Sequence, residues 1–162
     1  MQTDAVLLKL RRLAPLYLRL ALGVTFLSAV ADRFGVWGPP GGHNVAWGDF
    51  THFTEYTARV NPWAPPGLVS MLAWVATVAE AILGAALLGG VYTRAAGLAS
   101  GVLLSLFAIG MTIGTGVKSA LDASVFSAAA AGFALALLGA DPWSVDGLRA
   151  GSAHADAAPD RH

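Results

Sequence analysis

The sequence predicts an all-α integral membrane protein: a four-helix bundle with a short interfacial helix in the first external loop. Three observations carry that expectation. Hydrophobic residues make up 56% of the 162 and charged residues only 12%, about half the ~25% of an ordinary soluble domain. Mean hydropathy is +0.61. Four apolar stretches, at 15–36, 67–90, 93–115 and 120–140, each approach or exceed the roughly 20 residues that carry a helix across a bilayer. A helix is the natural crossing form because it pairs every backbone group within its own segment. A soluble fold is the weaker reading, since so short a chain cannot surround four such helices with water-facing ones.

Composition also excludes several functions. Ten basic residues balance ten acidic ones, so there is no basic field for nucleic acid. Cysteine is absent, which removes disulfides, Cys-ligated zinc, iron–sulfur ligation and thiol redox chemistry from this chain.

The elements follow in order. Lys9, Arg11 and Arg12 precede the first span. With Ala29-Val30-Ala31 they give a signal-like pattern, but the apolar run is long for a signal and contains Arg19, so it reads as a span. The loop 37–66 holds five of the eight prolines, and Gly38-Pro39-Pro40-Gly41-Gly42 within it is a turn. A short helix is expected between Asp49 and Val60, ended by Asn61-Pro62. Its Phe50, Phe53 and Tyr56 recur every three residues, which suggests a helix lying on the membrane surface. Trp37, Trp47, Trp63 and Trp143 fit interfacial belts. Residues 1–147 form one membrane domain, and 148–162, rich in Ala, Asp, Gly and His, are expected to be a disordered cytoplasmic tail. Six Lys or Arg residues flank one side of the spans (Lys9, Arg11, Arg12, Arg94, Arg149, Arg161) against three on the other (Arg33, Arg59, Lys118). That asymmetry places both termini in the cytoplasm.

Small residues recur at helical spacing: Gly97 and Gly101, Gly110 and Gly114, Ser124, Ala128, Gly132 and Ala136, and Ala76 with Gly84. Such stripes let membrane helices approach closely. Charges within spans are costly and turn toward the bundle interior or find partners. Arg19, Glu80 and Asp122 are the candidates, while Asp32 and Arg33 sit at the outer end of the first span. An Arg19–Glu80 contact is expected. It reads either as an ion pair that fixes helix register or as a protonatable carboxylate suited to handling protons or holding a quinone oxygen. Asp49, His52, Glu55 and Arg59 share the loop, with His43 on the turn. One His among scattered carboxylates reads as a solvated polar face, not a metal site, and His154 and His162 are too sparse for one. No span contains the His pair a haem would need. No phosphate-binding glycine loop and no Ser/His/Asp set is present.

The run Glu80-Ala-Ile-Leu-Gly84 through Gly89-Gly90-Val-Tyr-Thr93-Arg94, with Arg19…Gly23 before it and Gly139-Ala-Asp-Pro-Trp143-Ser144-Val145-Asp146 after it, resembles the signature of the DoxX family. Leu121-Asp122-Ala-Ser124-Val125-Phe126-Ser127 resembles a version from one bacterial branch. The resemblance covers about residues 14–147. Ala29 and Arg33 stand where that family often has Gly and Lys, and the loop 37–66 is long for it. The resemblance implies a multi-pass protein of the bacterial inner membrane. It makes Gly84, Gly89, Thr93, Arg94, Ser144 and Asp146 signature residues. It also implies a partner among membrane-associated oxidoreductases or sulfur and superoxide enzymes, and possible homo-oligomers. The expected function is an auxiliary or anchoring subunit of a membrane oxidoreductase near the quinone pool. Quinone is the one cofactor candidate, and the chain has no catalytic motif of its own. The rivals are a partner-dependent quinone-reducing subunit, a small-solute transporter, and a membrane scaffold or chaperone.

Overall fold

The computed structural model describes residues 2–156, with side chains from 4 to 152. Seven helices occur in these residues, and no strand: α1 (Gln2–Arg33), α2 (Phe50–Val60), α3 (Pro66–Gly89), α4 (Thr93–Thr115), α5 (Val117–Asp122), α6 (Val125–Leu138) and α7 (Val145–Asp156). Three of them, α1, α3 and α4, are long and apolar enough to cross a membrane.

The ends of α3 and α4 follow local chemistry. Pro66 opens α3 at a position where its missing N–H costs nothing. Gly90 closes it in the left-handed conformation at φ 66°. Gly116 ends α4. Both helices turn apolar side chains outward, among them Met71, Val75, Val78 and Ile82 on α3 and Leu98, Val102, Leu106 and Ile113 on α4. Water would not tolerate so continuous an apolar surface, but lipid would.

Two elements depart from the sequence expectation. α1 begins at Gln2, not Pro15, and runs through a buried Pro15. The Leu-, Lys- and Arg-rich segment before that proline has high helix propensity and continues the span as an exposed helical extension. The stretch 120–140 is not one helix. Ser124 adopts φ 55°, a conformation that helices exclude. It splits the stretch into the six-residue α5 and the 14-residue α6. At ~1.5 Å per residue α6 is roughly 20 Å long. Residues 148–156, expected to lack structure, belong to α7. The remainder of the expected tail, with His162, lies outside the described residues.

The most extensive contact is between α4 and α6, followed by α1 with α3. Both depend on glycine. A Cβ on Gly132 would lie 2.6 Å from the Gly101 nitrogen, so those two backbones touch. A Cβ on Gly84 would lie 3.2 Å from the Gly23 carbonyl oxygen and closer still to the Leu27 side chain. This contact sets the antiparallel register of α1 and α3. A shared core of Leu22, Phe26, Leu87, Ala96, Leu104, Ala129 and Leu135 joins the four helices α1, α3, α4 and α6. α2 begins at its cap Asp49, whose carboxylate accepts from the His52 N–H at 2.8 Å. Its aromatic face packs on the protein. Phe53 is buried and Phe50 packs on Trp74 of α3 with ring centroids 4.3 Å apart. Gly114 of α4 leaves the space that the α2 backbone at Arg59 and Val60 occupies.

Candidate functional site

Two buried charge clusters lie at opposite ends of the α1–α3 pair. The first is built on Arg33, the last residue of α1. Its side chain reaches the middle of α3. Nη1 donates to Thr77 Oγ1 at 2.8 Å, and Nη2 donates to both Glu80 carboxylate oxygens, each at 2.8 Å. The two charged side chains are 3% and 2% exposed, so the pair is shielded from water and its geometry carries its stability. The Phe53 ring lies 3.7 Å from the guanidinium carbon and Trp47 5.3 Å from it, a cation over two aromatic faces. The Arg33 Nε has no hydrogen-bond partner. Its neighbour Asp32 accepts from the N–H groups of Ala46, Trp47 and Gly48 at 3.3, 2.7 and 3.4 Å. Asp32 thereby fixes the loop that carries Trp47 onto Arg33.

The second cluster is built on Arg19. Nε donates to Asp141 Oδ2 at 3.0 Å, and Nη1 donates to the Leu87 and Leu88 carbonyls at 2.9 and 2.6 Å. Those carbonyls belong to the last turn of α3, where the regular helical donors run out and the helix dipole favours a cation; Leu87 also accepts from the Gly90 N–H. Arg94 does the same for α6, donating to Ala136 and Leu137. At the start of α4 the polarity reverses: the Asp146 carboxylate accepts from the Tyr92 and Thr93 N–H groups at 3.1 and 2.6 Å. Burial pushes the Asp146 carboxyl upward, but its hydrogen bonds from Thr93 and Tyr92 outweigh that and hold it below the usual carboxylate range. Ser144 Oγ donates to the Asp141 carbonyl and accepts from the Gly147 N–H, and the Asp146 N–H returns to the Gly90 carbonyl.

The expected Arg19–Glu80 contact does not form. Arg19 is level with Leu87 and Leu88, seven to eight residues past Glu80, a rise of roughly 10 Å. The open carbonyls of α3 hold it there, and Glu80 is taken by Arg33 instead. Asp122 is not in the interior either: it pairs with Lys118 one turn away on the exposed side of α5. Among the resemblance residues, Gly84 seats Gly23, Gly89 ends α3, and Thr93, Arg94, Ser144 and Asp146 all close helix ends around Arg19. In the loop, Asp49 and His52 join through the ring Nδ1 at 2.8 Å. Hydrogen bonds from the His52 backbone and ring lower the Asp49 carboxyl, and the bond to Asp49 raises the His52 imidazole.

Sequence reasoning missed Arg33 and Asp141 as partners. The signal for Arg33 was the Gly23–Gly84 register, which places the end of α1 within an arginine's reach of Thr77 and Glu80. Asp141 lies in the turn after α6, and its pairing depends on a contact across 122 positions that no local pattern encodes.

An all-helical chain with three helices fit to span a bilayer, apolar outer faces and charge clusters closed inside it defines a multi-pass membrane protein. Residues 11–139 match the family described as methylamine utilisation protein MauE, and the chain belongs to that family. This match overturns the DoxX resemblance. The residues that carried the resemblance cap helix ends and close short turns, needs that any helical membrane chain with short links must meet. The quinone expectation, read first from a protonatable Glu80 and then from that resemblance, gains no support from the family match, and Glu80 is paired with Arg33. No curated protein and no solved structure matches the chain.

Proposed function

We propose that this chain is a membrane accessory protein of a methylamine-utilising oxidoreductase system. It crosses the bacterial inner membrane four times, with the α5–α6 pair as the fourth crossing and both termini in the cytoplasm. The observation that carries the reading is the family match over residues 11–139. Methylamine is used by oxidising it at a dehydrogenase, and the family is associated with that system. The chain has no cysteine, so it supplies no thiol chemistry to the system. Within the helices Arg33 and Glu80 are engaged with each other, and Arg19 and Arg94 with helix ends. An accessory that holds or matures a partner fits such a molecule better than a catalyst.

Deleting the gene in its native host tests this. Growth on methylamine and dehydrogenase activity per cell are expected to fall and to return on complementation. Unchanged dehydrogenase activity would overturn the reading. The cysteine-free background also gives a direct topology test. A Thr51→Cys variant is expected to react with an impermeant maleimide in intact spheroplasts, and Ser152→Cys only after lysis. Equal labelling of both would refute the four-crossing arrangement.

A further inference from the structure

A cavity of about 470 Å³ opens beside the Arg33 cluster, on the far side of the loop that carries Trp47. Asp32, Trp37, Asn44 and Trp47 line one part of it, and Thr25 and Ser28 of α1 line another. Val24, which also borders it, is 57% exposed on the outer face of α1, so the cavity opens toward the lipid side of a spanning helix. Asp32 is 5% exposed and makes no ion pair with any described residue. Its charge is met by three backbone N–H groups alone. The neighbouring Arg33 is neutralised by Glu80, which leaves the cavity wall with one net negative charge. Trp37 is anchored by its Nε1–H on the Ser28 carbonyl at 3.1 Å, so its ring is held at the rim.

We infer that this cavity is a binding site for an alkylammonium group, with Asp32 as counter-ion and Trp37 and Trp47 as aromatic walls. A buried carboxylate with no ion-pair partner at a membrane helix is a counter-ion candidate for a cationic ligand. Indole faces attract ammonium and quaternary ammonium groups. The hydroxyls of Thr25 and Ser28 and the amide of Asn44 offer acceptors to an N–H donor. The apolar border at Val24 and Ala29 suits the alkyl chain, which would extend along α1 into the bilayer. The ligand is either an amine-bearing lipid headgroup or a free alkylamine. The inference stands on the cavity and does not depend on the proposed accessory role.

Calorimetric titration of the whole protein in a neutral maltoside detergent tests it. The probes are n-hexylammonium, its neutral counterpart n-hexanol, and short-chain phosphatidylethanolamine and phosphatidylglycerol. Saturable binding of hexylammonium without binding of hexanol is expected, and Asp32→Asn should weaken it about tenfold or more. If phosphatidylethanolamine competes and phosphatidylglycerol does not, the natural ligand is a lipid headgroup. If neither competes, it is a free amine. Because Asp32 also holds the loop, Trp37→Leu provides a second variant with an exposed side chain, and it is expected to weaken binding severalfold while leaving thermal stability unchanged. Equal affinity for hexanol and hexylammonium, or undiminished binding in a folded Trp37→Leu protein, would overturn the site.

Discussion

The two buried arginines of α1 lie 14 residues apart in sequence and are held in opposite ways. Arg19 is bound mainly by backbone: two carbonyls at the end of α3 and one carboxylate from the turn after α6. Around it, Arg94 closes the end of α6 and Asp146 closes the start of α4. Each charge meets the helix terminus whose dipole favours it. Arg33 is bound by side chains alone, Glu80 and Thr77, under a roof of Phe53 and Trp47 supplied by the loop and α2. One end is thus tied through the ends of the helices themselves. The other is covered by a segment that can move without unwinding a span. Burial alone does not tell a charge tied to helix ends from one covered by a loop; the nature of its partners does.

The largest expected effect breaks this comparison most directly. Glu80→Gln removes the only carboxylate paired with Arg33 among the described residues and leaves a buried cation whose Nε is already unpartnered. Breaking one side of a buried pair costs about 3–5 kcal/mol. Asp141→Asn, like Glu80→Gln, keeps one oxygen, but Arg19 also retains both α3 carbonyls, so a smaller loss of about 1–3 kcal/mol is expected. Thermal unfolding in detergent measures both. The paired substitution Arg33→Met with Glu80→Leu should recover most of the loss. Equal losses at the two ends would mean that the partners' nature makes no difference.

A smaller effect sharpens the same contrast at the roof. Phe53→Leu keeps apolar volume but removes the ring 3.7 Å from the Arg33 guanidinium, a loss of about 1–2 kcal/mol for a desolvated cation over an aromatic face. Hydrogen exchange should quicken across 45–60 and stay unchanged at 139–147. If the substitution costs as much in an Arg33→Met background, the ring contributes packing only, and the roof is not held by the charge.

How far the sequence disclosed this arrangement depends on which forces act locally. The bounds of α3 and α4 were legible to within a residue, because uninterrupted apolar runs end at Pro65-Pro66, Gly90 and Gly116. α2 was legible from Asp49 and Asn61-Pro62. The split at Ser124 was not, since a left-handed serine inside an apolar run reflects tertiary packing rather than propensity. Arg19 and Glu80 stood out as buried charges, but their partners did not. Pairing follows the register of α1 on α3, which one glycine contact fixes. Asp122 looked interior for a related reason: the apolar run hid that α5 is a separate helix, on whose exposed side Asp122 lies. The family likeness misled because helix-closing residues recur wherever short links join apolar helices.

The smallest expected effect is the pH dependence that Asp146 brings to the Arg19 end. The Asp146 carboxyl is held below its ordinary value by the Thr93 and Tyr92 N–H groups, which outweigh the effect of burial. A carboxyl lowered on folding stabilises the fold above its unfolded value. That contribution is lost as pH falls through the lower folded value. The clasp between α7 and the start of α4 should therefore hold at neutral pH and loosen only below the usual carboxylate range. Asp146→Asn should flatten the acid limb of the stability curve, with little change at the Arg33 end when hydrogen exchange is followed across 45–60. Loosening of that clasp already at neutral pH, or an acid limb unchanged in Asp146→Asn, would show that Asp146 is not the group that ties this end, and that the two ends differ less than their hydrogen bonds imply.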